Sequence, residues 1–260
     1  MSTSTIVAAK KLELDALKPT LRQGALENLD HSQRLDITYT SNAIEGNTLT
    51  AGETALVLEK GLTIAGKPLK DHLEAVDHAR ALDWVLQIAA QNRTAITEAD
   101  IRTLHQLVMA KSRSDIAGAY ADSARFVNTD SGVFQFPGPI EIPALMQAFC
   151  GWLANAAGSP ETAFRAHRDL VAIHPFNDGN GRTARLLMNL VLARAGFPPI
   201  AVRPEDRPAY IAALETIQSG GNHTAFDDLM FRRLDQTLDL YLAAAHQGTK
   251  TAADRPSEGN

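Results

Sequence analysis

Apolar residues recur every three or four positions along almost the whole chain, a spacing that places them on one face of an α-helix. The pattern predicts helices that begin near residues 68, 97, 143, 204 and 226, and two more that contain residues 164–171 and 186–191. Gly158 and Gly196 follow two of these segments, where glycine is a common end signal. The last helix is expected to end at about Ala245. A chain patterned in this way is expected to fold into an all-α structure.

Residues 131–143, SGVFQFPGPIEIP, break the helical spacing. A valine and two phenylalanines stand close together there, and a Pro-Gly-Pro cluster follows them. Aromatic and branched residues beside turn residues predict a short hairpin or an extended flap. The residues expected in the flap are Gly132, Val133, Phe134, Gln135 and Phe136. The sequence therefore predicts a helical bundle with one short β-hairpin.

No linker and no internal repeat divides the 260 residues, and 45% of them are apolar, so we expect one domain with an ample core. Residues 1–65 are expected to form an N-terminal helical region that packs on a catalytic core of residues 66–246. The composition of residues 247–260 is typical of a disordered tail.

The charge and cysteine content exclude several classes of function. The formal net charge is −5 and no run of lysine or arginine occurs, which argues against nucleic acid as a partner. Cys150 is the single cysteine, so an intramolecular disulfide is excluded. The first residues lack the apolar stretch of a signal peptide, and no apolar run reaches membrane-spanning length. We expect a cytoplasmic protein without a membrane partner.

The segment HPFNDGNGRTAR, residues 174–185, concentrates polar groups between two apolar helices. Pro175 disfavours the α conformation of His174 and ends the incoming helix. Gly179 and Gly181 can adopt positive φ and leave backbone N–H groups unobstructed. A new helix is expected to start at about Gly181, and free N–H groups at a helix start bind anions.

Charged residues beside this helix start indicate which anion binds. Arg182 and Arg185 are three positions apart and therefore share a face. Two cations at a helix N-terminus oppose the helix dipole, so an anion such as a polyphosphate should compensate them. Asp178 would then be an oxygen ligand for Mg²⁺, and His174 could accept a proton from an attacking hydroxyl. A structural histidine and arginines paired with surface acids are the alternative interpretation.

These residues match a known family motif. HPFNDGNGRTAR resembles the Fic motif, His-Pro-Phe-x-Asp/Glu-Gly-Asn-Gly-Arg-x-x-Arg, at every fixed position. The upstream HRDLVAI, the flap and the N-terminal SNAIEGNTLT are also similar to Fic proteins. The resemblance covers residues 35–235 and implies an all-α fold with a β-hairpin flap above the motif loop.

The resemblance implies transfer of AMP from ATP to a Ser, Thr or Tyr hydroxyl on a target protein. It assigns His174 as the general base and Asp178 as the ligand of Mg²⁺. Arg182 would bind the α- and β-phosphates, and Arg185 would reach the γ-phosphate. The remaining phosphate contacts, from the loop backbone and one side chain, are assigned to Gly179, Asn180 and Gly181.

A second motif, SNAIEGN at residues 41–47, contains Ser41 and Glu45 four positions apart, so that both lie on one helix face. Gly46 is expected to end or bend that helix. An exposed acid near a helix end is also an ordinary structural feature. The motif resembles the autoinhibitory Ser-x-x-x-Glu-Gly of Fic proteins. This implies that Glu45 pairs with Arg185 through two parallel hydrogen bonds and occupies the γ-phosphate position.

Other positions bear on contacts with substrates. Ala121, in GAYADSARFV, stands where many Fic proteins have arginine, which leaves open any role of that arginine. The flap could pair with an extended target segment by strand addition, or it could simply cover the core. Tyr210 and Asn222 are expected near the nucleobase by family analogy, with a core role as the alternative for Tyr210.

Three functions are compatible with these residues. The leading one is a Mg²⁺-dependent protein adenylyltransferase that Glu45 restrains. The second is removal of AMP from a modified target at the same site, with Glu45 orienting the water. The third is a regulatory module that binds nucleotide without turnover. The expected partner is a protein that carries a hydroxyl side chain, and a homodimer is left open.

Overall fold

The structure is a computed structural model that describes residues 2–21, 24, 26–91, 95–129 and 132–253. These residues form α-helices, one two-stranded sheet and two short 3₁₀ helices, at Lys18–Thr20 and Pro204–Asp206. The α-helices are α1 (Thr3–Leu17), α2 (Glu27–Ile44), α3 (Ala51–Lys60), α4 (Leu69–Ala89), α5 (Glu98–Met109), α6 (Ile142–Asn155), α7 (Pro160–Ile173), α8 (Asn180–Arg194), α9 (Arg207–Gln218) and α10 (Thr224–Ala253). The predicted all-α fold with a hairpin is confirmed.

Helices α7 and α8 form the centre of the fold and pack against each other, and α4 and α5 also contact α8. Residues 186–192 of α8 are at most 5% exposed. A helix that is buried on nearly every side belongs in the interior. The loop between α7 and α8 is therefore held in the middle of the molecule.

Local signals explain where these helices begin and end. Thr97 and Asp100 form a capping box at the start of α5, because each side chain accepts the backbone N–H of the other residue. Ser159 caps α7 in a similar way through its hydroxyl. Gly196 follows α8 with a φ of +77°, which glycine adopts without steric cost.

The N-terminal helices pack on the core, α1 against α10 and α2 against α4 and α8. α2 ends at Ile44, and Gly46 has a φ of +91°, so the chain turns away as predicted. The end of α2 therefore lies beside α8. A domain boundary at residue 65 stays a prediction. No helix among the described residues combines the length and the apolar character needed to cross a bilayer.

The hairpin lies further upstream than predicted. β1 (Phe126–Thr129) pairs antiparallel with β2 (Gly132–Gln135), with Phe126 opposite Gln135. The segment 131–143 therefore supplies only the second strand. Proline has no N–H to donate to a strand ladder, and residues 137–141 instead form the connection that leads into α6.

Helix α10 is longer than predicted. It continues past the expected end at Ala245 to Ala253, and it thus includes residues 247–253, which the composition placed in a disordered tail. Gly248 lowers helix propensity by about 1 kcal/mol relative to alanine, and one such residue does not end a long helix. Residues 254–260 lie outside the described part of the chain.

Candidate active site

His174 follows α7 in a conformation that few residues adopt. Its φ is +51°, and no other non-glycine residue in the described part of the chain has a positive φ. Pro175 disfavours the α conformation at this position, while the His174 N–H still donates to the Leu170 carbonyl at 2.9 Å. Unusual backbone conformations of this kind concentrate at functional sites, where surrounding contacts hold them.

The loop after His174 is held from inside by Asn180, which is buried. Its Nδ2 donates to the Phe176 carbonyl at 2.8 Å, and its Oδ1 accepts the Phe176 N–H at 3.0 Å. The Phe176 ring is fully buried and anchors the loop. The side chain of Asn180 is therefore a structural clamp. Of the phosphate contacts predicted for Asn180, only a contact from its backbone N–H is therefore compatible with this arrangement.

His105 on α5 supports the same loop from another side. The Gly118 N–H donates to its Nδ1 at 2.9 Å, so the ring proton is on Nε2, which donates to the Asp178 carbonyl at 3.0 Å. The ring stacks on Phe176 with centroids 3.7 Å apart. Burial lowers the pKa of His105 to about 4, so the ring is neutral at pH 7. No local pattern singles out this histidine, and the sequence analysis missed it.

Arg182 lies in the first turn of α8 and is buried. Its Nη1 is 3.2 Å from Oε1 of Glu74, a buried carboxylate on α4. The other Glu74 oxygen accepts Nδ2 of Asn47, the last residue of the SNAIEGN segment, at 3.1 Å. The arginine predicted to bind the α- and β-phosphates is thus held by a glutamate that the sequence analysis did not identify.

Asp178 is the loop residue suited to a divalent cation. The described residues contain no group of three or more His, Cys, Asp or Glu side chains that could hold a metal. Mg²⁺ is commonly bound by one or two carboxylates together with waters and substrate phosphates, so a lone aspartate fits it. The Asp178 side chain is partly exposed, 3.7 Å from Arg182, and its Oδ1 accepts the Gly179 N–H at 2.6 Å.

Arg185 is buried and connects the two sequence motifs. Its Nη2 donates to Oε1 of Glu45 at 2.7 Å and to the Ser41 carbonyl at 2.9 Å. Its Nε donates to the Ser41 hydroxyl at 2.9 Å. The contact with Glu45 is therefore a single hydrogen bond. The two parallel bonds expected from the sequence do not form, because Ser41 occupies the other donors on that side of the guanidinium.

The absence of a side chain at Gly181 makes room for this contact. A Cβ at Gly181 would overlap Oε1 of Glu45 and lie 3.1 Å from Nη1 of Arg185. The glycine is therefore required for the observed position of the glutamate, in addition to any role of its N–H in binding phosphate.

Each arginine at the start of α8 has its own carboxylate, Glu74 for Arg182 and Glu45 for Arg185. The negative charge predicted to balance the two arginines at this helix N-terminus thus comes from side chains of the protein itself. The two carboxylates differ in access to solvent, since the Glu74 side chain is 7% exposed and the Glu45 side chain is 39% exposed. Glu45 is consequently the more accessible of the two carboxylates.

Tyr210 is buried beneath Arg185. Its hydroxyl is 2.9 Å from Nε2 of His167 and 3.4 Å from Nη1 of Arg185, and burial raises its pKa. This geometry favours the core role that the sequence left open for Tyr210. Oδ1 of Asn222 accepts the Thr224 N–H at 3.1 Å beside the start of α10, and its expected place near the nucleobase stays a prediction.

A cleft opens between His174 and α9. His174, Gly181 and Arg185 line one part of it. The α9 residues that line the other part are Ile211, Leu214, Glu215 and Gln218. Tyr210 of α9 lines the same cleft, so the contacts with the nucleobase expected from the sequence stay predictions.

The imidazole of His174 is neutral in this environment. Its Nδ1 is 3.3 Å from the Val171 carbonyl, which places the proton on Nδ1 and leaves Nε2 as the basic atom. Burial lowers the pKa of His174 to about 4. The charge of Arg125 acts in the same direction, and the nearby carboxylates Glu45 and Asp178 act against it.

The flap covers His174 from above. The Phe136 ring is buried and stacks on the His174 ring with centroids 3.7 Å apart. Phe134 is half-buried and meets Phe136 edge-on at 5.2 Å. The exposed flap residues are Gly132, Val133 and Gln135. In the flap, Phe136 therefore contacts His174, the candidate general base, whereas other residues face solvent.

Position 121 supports the loop through its backbone. The Ala121 N–H donates to the Pro175 carbonyl at 2.9 Å, and the methyl group is buried. The buried cation of this segment is Arg125, four positions further on.

A helix–loop–helix brings a neutral histidine, an aspartate and two arginines together at one helix start, in the order of the Fic motif. The model of the Fic/DOC family matches residues 95–192. A solved structure of a Fic domain-containing signaling protein from Bacteroides thetaiotaomicron is 33% identical, with a TM-score of 0.83 over 95% of this chain and 97% of that one. The chain belongs to the Fic/DOC family.

Most of this chain aligns with curated relatives. The protein adenylyltransferase Fic of Nematostella vectensis is 36% identical over 232 residues, which is 85% of this chain and 53% of that protein. The protein of the same name from Aedes aegypti is 32% identical over 227 residues, 86% of this chain and 44% of that protein. The chain thus spans about half the length of the curated relatives it matches.

Proposed function

We propose that the protein transfers AMP from ATP to a hydroxyl group of a target protein. The observation that carries this proposal is the cleft in which the neutral His174 and the guanidinium of Arg185 face the start of α8. The names of the relatives support the same reaction. ATP is the nucleotide that such a reaction requires.

In the proposed reaction the target hydroxyl oxygen attacks the α-phosphorus of ATP. The bond from that phosphorus to the β-phosphate oxygen breaks, and pyrophosphate leaves. His174 Nε2 accepts the hydroxyl proton, as its neutral state allows. Backbone N–H groups at the start of α8 hold the phosphates together with Arg182 and Arg185. Asp178 is suited to hold Mg²⁺, which would neutralise charge on the phosphates.

Glu45 restrains this reaction in the proposal, because it holds the guanidinium that a γ-phosphate needs. Two anions at one guanidinium repel each other, so productive ATP must displace the carboxylate. Arg185 keeps its contacts with Ser41 and Tyr210 when Glu45 leaves. The arginine is therefore already oriented for phosphate in the restrained state.

A second candidate, removal of AMP from a modified target, uses the same cleft. Its support is that the partly exposed Glu45 carboxylate lies beside Gly181 within the cleft, where it could orient a water. The flap offers a docking edge for either reaction, since both strands have an unpaired edge among the described residues. The target, the cytoplasmic location and a homodimer stay predictions.

The decisive experiment incubates wild type and the variants Glu45→Gly and His174→Ala with α-labelled ATP and a cell lysate. We expect label on protein that increases with Glu45→Gly and disappears with His174→Ala. Glu205→Gly removes an exposed carboxylate away from the cleft and serves as the matched control. Absence of label with every variant contradicts AMP transfer. Loss of AMP from a premodified target with wild type, but not with Glu45→Gly, would support the second candidate.

A further inference from the structure

Arg125 is a buried cation. It is 7% exposed, and no ion pair is formed with it among the described residues. Its Nη1 donates to the Ser123 carbonyl at 2.8 Å and its Nη2 donates to the Pro137 carbonyl, whereas its Nε has no partner. Buried charges are usually paired, because desolvation is costly. The position of this arginine therefore needs an explanation.

The partners of Arg125 lie on both sides of the flap hairpin. Ser123 precedes β1 and Pro137 follows β2. The Arg125 carbonyl also accepts the Phe136 N–H at 3.1 Å. The main chain and the guanidinium of Arg125 thus tie the start of the hairpin to its end, at Phe136 and Pro137.

Phe136 is in direct contact with the His174 ring. The two rings stack at 3.7 Å with an angle of 18° between their planes. The hydrogen bond from His174 Nδ1 to the Val171 carbonyl is long, at 3.3 Å, and it constrains the ring less. Movement of Phe136 would therefore change the direction in which Nε2 points.

We propose that Arg125 is a positioning residue for the transfer reaction, acting through Phe136. It closes the base of the hairpin, and the closed hairpin holds the His174 imidazole with Nε2 toward the cleft. The effect on catalysis rests on the proposed function, whereas the effect on the ring of His174 does not.

The kinetic test compares Arg125→Met, Arg125→Lys and Phe136→Leu in a Glu45→Gly background, with auto-modification by α-labelled ATP as the readout. Arg165→Met, on the exposed face of α7, is the matched control. We expect Arg125→Met to lower kcat on the order of 10-fold to 100-fold, the usual effect of misplacing a catalytic group. The KM for ATP and the calorimetric affinity for ATP should stay within about twofold. Lysine should restore part of the rate, since it can reach one of the two carbonyls. The double variant Arg125→Met/Phe136→Leu should be no slower than the slower single variant.

A second readout follows the ring proton of His174 by NMR, where the stacked Phe136 ring shifts the resonance upfield. We expect this shift to be lost in Arg125→Met and Phe136→Leu and kept in Arg165→Met. An unchanged shift in folded Arg125→Met overturns the proposal whatever the activity. If the shift is lost but no variant transfers AMP, the positioning role stands and the proposed function fails. If Arg125→Met does not fold, Arg125→Lys is the variant to measure, and we expect its upfield shift to be intermediate. An unchanged shift in Arg125→Lys then overturns the proposal.

Discussion

Glu45 and Arg185 are 140 residues apart in the sequence, and their side chains are joined by a hydrogen bond of 2.7 Å. The bond links the end of α2 to the start of α8 across the cleft that contains His174. The arginine is buried, and the glutamate is partly exposed. This asymmetry makes Glu45 the replaceable partner, and the first prediction follows from it.

Glu45→Gly should raise AMP transfer tenfold or more at ATP concentrations below saturation, which corresponds to a coupling of about 1–3 kcal/mol. Glu45→Asp, which is one methylene shorter, should be intermediate. The loss of stability should be about 1 kcal/mol or less, because the pair is partly exposed and Arg185 keeps its contacts with Ser41. Initial rates of label incorporation measure the effect. Equal rates for wild type and Glu45→Gly contradict the restraint.

His174→Ala should lower transfer by about 10²–10⁴-fold, the usual contribution of a general base. ATP affinity measured by calorimetry should be nearly unchanged, because the phosphate contacts come from α8. His31→Ala removes an exposed histidine on α2 and serves as the control. A variant that keeps most of its activity rules out His174 as the base.

Asp178→Asn should lose the Mg²⁺-dependent transfer activity while the loop keeps its shape. The amide oxygen can still accept the Gly179 N–H, but it lacks the charge that a hard cation prefers. Titration of Mg²⁺ against the transfer rate, with unfolding curves as a check of the fold, measures this. Wild-type transfer that persists in excess EDTA speaks against a metal.

Glu74→Gln should destabilise the protein by about 3 kcal/mol, because it removes the buried counter-charge of Arg182 and leaves only the partly exposed Asp178 carboxylate at 3.7 Å. The matched variant Glu45→Gln should cost far less, since Glu45 is partly exposed. Urea unfolding curves of the two variants test the contrast. Similar losses would show that the two carboxylates are equivalent, contrary to their difference in burial.

Stability should fall steeply below about pH 6.5. Burial lowers the pKa of His78 to about 3 and those of His105 and His174 to about 4, and it lowers the pKa of His167 well below its usual value. In the unfolded chain these pKa values are about 6.5, so the unfolded state binds more protons between pH 6.5 and 4. Stability is therefore complete above pH 6.5 and is lost toward pH 4, on the order of 1 kcal/mol per pH unit for each histidine.

Thermal unfolding at pH 7.5, 6 and 5 checks this dependence. His78→Leu should reduce the slope by about one quarter, since it removes one of four similar groups. His78 suits this purpose because neither ring nitrogen has a hydrogen-bond partner within the described residues. A stability that does not change between pH 7.5 and 5 contradicts the lowered pKa values.

The sequence predicted the residues whose roles depend on local spacing. His174, Asp178 and the two arginines come from one segment, and a motif of that length determines their order along a loop and a helix start. Ser41 and Glu45 were predicted to lie on one helix face, and both contact Arg185. The partner of Glu45 came from family resemblance, because spacing within α2 says nothing about α8.

The missed residues depend on packing between distant elements. Glu74 and His105 lie on helices whose spacing resembles that of any amphipathic helix, and a buried carboxylate there has the same local sequence as an exposed one. The sequence also does not predict the direction of the Asn180 side chain, since an asparagine at a helix start can form hydrogen bonds to the backbone or to a ligand equally well. β1 has four residues, too few for an alternating pattern to be recognised.

The missing side chain at Gly181 has a consequence for measurements of nucleotide affinity. The space that it leaves holds a carboxylate of the same molecule, whose effective concentration does not change with dilution. ATP must compete with this internal ligand, so productive binding to wild type is weakened by the fraction of molecules in which the space is open. Any change that loosens the end of α2, even one far from the cleft, would then be measured as tighter productive binding of ATP.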